Sequence, residues 1–353
     1  MKKKLALALA LSLGLCLFTG CGGGGTTAPA PTPAQGGQPA ANQDAAYTIT
    51  LVHATADTTS LHEGCVKFKE YVEGHSDGRI AVNVYPNAQL GADRETIEGV
   101  QTGEITMMLS SNAVQVNFVP DAVIFDVPFI YPDIATARAV LSDETFRENI
   151  SASYAAAGLH YLGTSDQGFR TLTANKEVHT PADMAGVTLR TMENKYHMAT
   201  WSAIGANPTP LAFNELYTAL QQGTVDAQEN PIELIYSQKF FEQQKYVINT
   251  NHIFQTIVWI MNEDFYQGLP DDLKTVIDEA SDYATQAAND YQDANVEGFA
   301  QQIRDYGVTF IDLTPEELTA FSDATLSVRD MIHADCGEAV YTSFMNAVDS
   351  AAK

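Results

Sequence analysis

Two arginines stand out among the residues able to do chemistry. Arg170 lies in Gly168-Phe169-Arg170-Thr171-Leu172-Thr173, an apolar and hydroxyl-rich strand context, and Arg190 ends the strand Gly186-Val187-Thr188-Leu189-Arg190. An arginine at the carboxyl end of a parallel strand points into a cleft. Its guanidinium is a planar fork that matches a carboxylate in bidentate fashion. The chain carries 44 Asp and Glu against 19 Lys and Arg, so each arginine also has many partners for a purely structural ion pair. Residue type leaves both readings open.

The remaining reactive residues point to no catalyst. His53, His62, His75, His160, His179, His197, His252 and His333 are scattered without metal spacing. His62-Glu63 reads as a solvated helix face. Asp226 and Glu229 are close in sequence, but nothing sets them on opposed faces of a substrate. GxSxG, HExxH, P-loop and GxGxxG patterns are all absent from the chain beyond residue 46. A binding protein without a cofactor or a metal is the expectation.

Composition narrows the partners. The formal net charge is −25 and the pI near 4.4. Phosphate backbones and anionic lipid surfaces are bound through Lys and Arg, so nucleic acid and direct membrane adsorption are disfavoured. A small anion captured by a few buried arginines remains compatible with this charge. Length favours two domains or one large two-lobed one, and 45% hydrophobic residues suffice for its core.

The first residues set the expected compartment. Met1-Lys2-Lys3-Lys4 is a basic start, and the stretch from Leu5 to Phe18 is uncharged and mostly apolar. It is short for a membrane span and reads as an export signal over residues 1–20. Thr19-Gly20-Cys21 follows, resembling a lipoprotein signal in which the cysteine is lipidated, although Phe18 stands where Leu is usual. Losing residues 1–20 removes three Lys and no acid, which leaves a charge of −28. Residues 22–46, with six Gly, four Pro and one charge, read as a tether spanning roughly 25–30 Å as a coil. Cys65 and Cys336 remain in the folded part and are compatible with one disulfide or none.

The elements that must position the arginines follow from periodicity. Alternation marks strands at Tyr47–His53, Arg79–Tyr85 and Ile105–Ser110, with helices from Leu61 and over Ala92–Thr102 between them. This is an α/β lobe with a largely parallel sheet. The pattern restarts with a helix start at Thr180-Pro181, a strand over Val187–Thr191, helices over Glu193–Ile204 and Phe213–Gln222, and a short strand at Val225–Ala227. Asp271–Tyr306 is one helical run of about 50 Å, too long for one small lobe. A strand at Val308–Asp312 and helices from Pro315 finish the chain. Two α/β lobes side by side leave a cleft, where open α/β sheets bind their ligands.

Several stretches together resemble a known family. They include Tyr85-Pro86-Asn87-Ala88-Gln89-Leu90-Gly91, Gly168-Phe169-Arg170, Leu189-Arg190-Thr191-Met192-Glu193-Asn194 and Gly205-Ala206-Asn207-Pro208-Thr209-Pro210. The longest are Phe213 to Gly223 and Val225-Asp226-Ala227-Gln228-Glu229-Asn230-Pro231, with Asn251-His252 following in register. From about Tyr47 onward the chain resembles the extracytoplasmic solute receptors of TRAP transporters, the DctP-type family. The resemblance implies a two-lobed periplasmic-binding-protein-like α/β fold with a long helix spanning both lobes. The lobes are expected over 47–167 plus about 256–290, and 168–255 plus about 291–353. It also implies a monomer that delivers an organic acid to the small and large membrane subunits of a permease. On the family pattern Arg190 bonds the ligand carboxylate, Arg170 and Asn230 assist, and Phe213 packs against the ligand. Ser110 and His252 are counted with the binding residues.

Three residues past Arg190, Glu193 is expected to face the same cleft. A carboxylate there repels the second carboxylate of a C4-dicarboxylate but accepts hydrogen bonds from sugar hydroxyls. Ser110 and Ala54 stand where sialate-binding relatives carry larger polar or acidic groups. A sugar acid such as a hexuronate is therefore the favoured ligand. The alternatives are a C4-dicarboxylate receptor, a sensory receptor of the same fold, and a secreted enzyme acting on acidic sugars.

Overall fold

The computed structural model describes residues 45–351. The expected signal, Cys21 and nearly all of the tether lie outside the described residues. Nine strands form one sheet: β1 (Tyr47–Val52), β2 (Ile80–Tyr85), β3 (Met107–Ser111), β4 (Leu159–Ala174), β5 (Thr188–Thr191), β6 (Asn207–Pro210), β7 (Ala227–Asn230), β8 (Tyr246–Asn262) and β9 (Thr309–Asp312). Their order is β2-β1-β3-β8-β4-β7-β5-β6, with β9 beside β8.

The register divides this sheet into two wings. β4 and β8 run antiparallel as a long ribbon from Leu159↔Asn262 to Ala174↔Tyr246. β3 joins the ribbon only along Ile257–Met261, so β1, β2 and β3 lie at one end. β7 joins only along Thr171–Ala174 and β9 only along Tyr246–Asn249, so the second wing lies at the other end. Between the wings the ladder slips, from Asp166 to Phe169. Gly168 sits in that slip at φ +75°, a backbone conformation that disfavours any side chain.

Within each wing the strands pair in parallel, as periodicity implies: β1 with β2 and β3, β5 with β6 and β7. The connecting ribbon is antiparallel, so the sheet is mixed rather than largely parallel. The long strands escape pattern reading for a physical reason. Both are buried on both faces for most of their length, so apolar and polar residues do not alternate.

Helices match closely where caps fix them. The Asp271–Tyr306 helix has the expected bounds and ends at Gly307 with φ +109°. It packs on the Ser60–His75 helix of the first wing, on β4, and on the Ile232–Ser237 helix of the second. The helix expected from Glu193 starts at Lys195, because the Asn194 side chain caps it by accepting from Tyr196 N at 2.7 Å and His197 N at 3.0 Å. The start at Thr180 is a real capping box, but it yields one 3-10 turn, Pro181–Met184. The strand expected at Val225–Ala227 is displaced to Ala227–Asn230, since the Asp226 carboxylate and amide both bond Thr188 instead. The last helix, Glu338–Ala351, packs on helices Ile134–Leu141 and Glu144–Ala156.

The two cysteines are free and buried in different apolar clusters. Cys65 packs among Leu61, Phe68 and Trp259, and Cys336 among the helices near Phe344. Among the described residues, no helix is long and apolar enough to cross a membrane.

Candidate functional site

β5 delivers Arg190 to the junction of the wings, with 1% of its surface exposed. Its Nε and Nη2 donate to the Leu211 carbonyl at 2.9 and 2.7 Å. Among the described residues Nη1 is buried with no hydrogen-bond partner, and no carboxylate lies within ion-pair distance of the guanidinium. Burial and the charge of Arg170 lower its pKa to about 10, while Glu229, Asp93 and Glu193 act at longer range in the opposite sense. The guanidinium remains protonated at neutral pH. A buried charge without a counter-ion is costly unless an anion arrives to pair with it.

Arg190 and Glu193 line a small cavity of about 20 Å³ with Asp93, Met192, Leu211 and Phe213. A neighbouring cavity of about 30 Å³ shares Asp93, Met192 and Phe213 and continues past Arg170, Asn230 and Ser110 to Gln167 and Gln255. The half-buried Phe213 ring lies 5.9 Å from the Arg190 guanidinium carbon and packs edge-on against Phe240. Arg190, Arg170, Asn230, Phe213, Glu193 and Ser110 therefore meet at one cleft.

Their roles differ from residue to residue. Arg170, fully buried, already has a carboxylate: Nε donates to Glu229 Oε2 at 2.5 Å and Nη2 to Glu229 Oε1 at 2.9 Å. Nη1 donates to Gln255 Oε1 at 2.6 Å, and Nη2 also reaches Asn230 Oδ1 at 3.2 Å. Burial alone would push the Glu229 carboxyl up, but Arg170 and His252 overrule it and hold the acid well below its usual range. Ser110 Oγ accepts from Gln115 Nε2 at 2.8 Å. Glu193 does not pair with Lys195, which reaches Asp335 at 2.8 Å instead.

His252 does not line either cavity. It stands behind the site, with Nε2 at 2.9 Å from Glu229 Oε2, Nδ1 at 2.8 Å from Thr250 Oγ1, and its ring edge-on to Trp201. Burial lowers its pKa more than Glu229 raises it. Its reach to the cleft runs through Glu229 and Arg170.

Two lining residues carry no mark in the sequence. Asp93 opens the Asp93–Thr102 helix, where an acid is favoured by the helix dipole alone, and that ordinary explanation conceals it. It lines both cavities. Desolvation pushes its carboxyl up to about 6, against the pull of Arg190 and with the help of Glu95 and Glu193. Gln167 precedes the Gly168-Phe169-Arg170 stretch, and only the slip in the β4–β8 ladder turns it toward the cleft.

Residues 51–334 match the family model described as bacterial extracellular solute-binding protein, family 7. The chain is 34% identical over 287 residues to the C4-dicarboxylate-binding periplasmic protein DctP of Rhodobacter capsulatus, covering 80% of this chain and 85% of that one. It is 31% identical over 311 residues to the 2,3-diketo-L-gulonate-binding periplasmic protein YiaO of Escherichia coli, covering 86% and 92%. A TRAP periplasmic solute-binding protein of Roseobacter denitrificans, solved with bound L-galactonate, superposes with a TM-score of 0.79 at 29% identity, covering 86% of this chain and 99% of that one. These proteins bind small acids and are not enzymes. The chain belongs to family 7 of the bacterial extracellular solute-binding proteins, as a DctP-type extracytoplasmic receptor of a TRAP transporter.

Proposed function

We propose that this receptor captures a sugar acid, a hexuronate or an aldonate, by its single carboxylate on Arg190. The observation that carries the reading is the buried Arg190 guanidinium with Nη1 unpartnered and no ion pair. Asp93 and Glu193 share that cleft. A second ligand carboxylate would meet them with like charge, whereas hydroxyls can donate to them. The named ligands of relatives include C4-dicarboxylates as well as sugar acids, and the acidic lining is what favours the sugar acids in this reading. Phe213 packs on the ligand carbons, and Asn230 and Arg170 complete the polar wall.

Capture brings the lobes together. They turn about β4 and β8 near residues 167 and 255, with 47–167 and about 256–290 in one lobe and 168–255 and about 291–337, shortened from the expected 353 because the last helix packs on the first lobe, in the other. The Glu338–Ala351 helix rides on the first. The receptor acts as a monomer, is lipidated at Cys21, and presents the closed form to the two membrane subunits of its permease.

Isothermal calorimetry on the mature domain tests this with glucuronate, galactonate, malate and succinate. Sugar acids are expected to bind tightest. Arg190→Ala is expected to weaken them about 30- to 4,000-fold, the cost of losing one partner of a buried charged pair. Arg190→Lys restores the charge but not the fork, and stays well below wild type. Binding within threefold of wild type in Arg190→Ala would place the clamp elsewhere. Glu193→Gln is expected to weaken sugar acids about tenfold and to spare malate; an equal shift for all ligands would remove Glu193 from the site.

A further inference from the structure

Glu233 is wholly buried and takes no part in the cleft wall, yet three donors converge on it. Its Oε1 accepts from Ser60 N at 2.6 Å and its Oε2 from Ser60 Oγ at 2.7 Å. Oε2 also accepts from Gln167 Nε2 at 2.5 Å. Ser60 opens the helix that follows β1, and Glu233 lies on the helix that follows β7. The carboxylate therefore reaches from one wing of the sheet to the other. Thr59, at the N-cap of the Ser60–His75 helix, makes no side-chain cap bond. The carboxylate of the opposite wing serves there instead, where an anion is favoured.

The same carboxylate dictates how the Gln167 amide is turned. The Gln167 NH2 end faces Glu233, which in its ionised form only accepts; burial raises the Glu233 pKa, and the Ser60 and Gln167 donors act in the opposite sense. The Gln167 backbone carbonyl is occupied by Gln292 Nε2 at 2.9 Å. That leaves Oε1, which is buried without a partner on a residue that lines the larger cavity. A buried acceptor with nothing to accept is unfavourable. A ligand hydroxyl would satisfy it, and a ligand carboxylate oxygen would oppose it as acceptor against acceptor.

We infer that Gln167 is a specificity-determining residue that demands a hydrogen-bond donor from the ligand, and that Glu233 is the positioning residue that fixes this demand while bridging the two lobes. The inference rests on the Arg190 reading above and adds a second reading point at the far end of the cleft. It assigns the ligand to the hydroxylated acids from a residue independent of Asp93 and Glu193. Because Glu233 spans the wings, the reading point is complete only with the lobes together.

Calorimetry with galactonate and succinate on two variants tests it. Gln167→Met keeps size and removes the acceptor, so galactonate is expected to bind about tenfold more weakly and succinate within threefold of wild type. Glu233→Gln supplies an amide that can itself donate, which frees Gln167 to turn its NH2 end toward the ligand. The galactonate-to-succinate preference is then expected to fall about tenfold or to invert, with the melting temperature little changed. Equal shifts for both ligands in Gln167→Met, or an unaltered preference in Glu233→Gln, would overturn the assignment. Arg190→Ala in the same series separates the two proposals. Loss of both ligands there, with unaltered preference in the other variants, overturns Gln167 alone. Insensitivity to Arg190→Ala overturns the clamp and the Gln167 assignment with it.

Discussion

At the scale of single residues, the proposed selectivity rests on the charge balance around Arg190. Arg170 is neutralised by Glu229, so it contributes shape and one polar wall rather than free charge. Arg190 makes no ion pair among the described residues, while Asp93 and Glu193 act on it at longer range. Asp93 gives this arrangement a pH signature. Its folded-state pKa, about 6, lies above the ordinary 3.8. The folded protein thus holds a proton that the unfolded chain releases earlier. The stability this contributes is fully present below the unfolded value and is lost as pH rises through about 6. Asp93→Asn removes that loss. The variant is expected to melt above ligand-free wild type at pH 7.5, and the difference should shrink at pH 5. Thermal denaturation at the two pH values checks it; a pH-independent difference would mean that Asp93 titrates normally.

At the scale of elements, the site depends on how closely helices approach the sheet. Gly64 lies in the Ser60–His75 helix against Trp259 of β8, and a Cβ there would come within 2.9 Å of the indole and 3.3 Å of the Ala288 methyl. Glycine in a helix interior ordinarily costs about 1 kcal/mol relative to alanine. Here the added methyl has no room, and overpacking costs about 1–3 kcal/mol. Gly64→Ala is therefore expected to destabilise the protein by up to about 2 kcal/mol in urea unfolding, and stabilisation would show that the helix can lift. Lifting it would carry Ser60 away from Glu233. Of these elements, the strands of the first wing, β5 and the long helix were legible from alternation, caps and length, whereas β6, with two prolines in four residues, showed no strand pattern. The β4–β8 ribbon was not legible either, because strands buried on both faces carry no two-residue period.

At the scale of the whole molecule, an acidic receptor must be held near its permease by something other than surface charge. On the proposal above, a lipid on Cys21 followed by the Gly/Pro stretch would do this without patches of Lys and Arg. Cys21→Ser is expected to move the protein from the membrane fraction to the soluble one, with ligand affinity unchanged. Unchanged fractionation with the signal still removed would exclude the anchor. Ligand capture should also stabilise the entire fold, by about 2.7 kcal/mol at a ligand concentration 100 times Kd, since the cleft is built from both wings.

By itself the sequence determined the two α/β wings, the long helix, the family and the pair of arginines, because periodicity, caps and ordered motifs are local properties of the chain. Residue type alone could not say which arginine lacks an ion pair, although the family pattern singled out Arg190. Both have the same side chain, and the antiparallel pairing of β4 with β7, Leu172 against Glu229, puts a carboxylate on Arg170, whereas among the described residues none pairs with Arg190. The same holds for His252, placed behind the site by its bond to Glu229, and for Asp93 and Gln167, brought to the cleft from separate elements. Glu233 is the extreme case, 173 residues from the serine it holds. Contacts of that separation depend on which strands pair and where the ladder slips, and no local pattern encodes them.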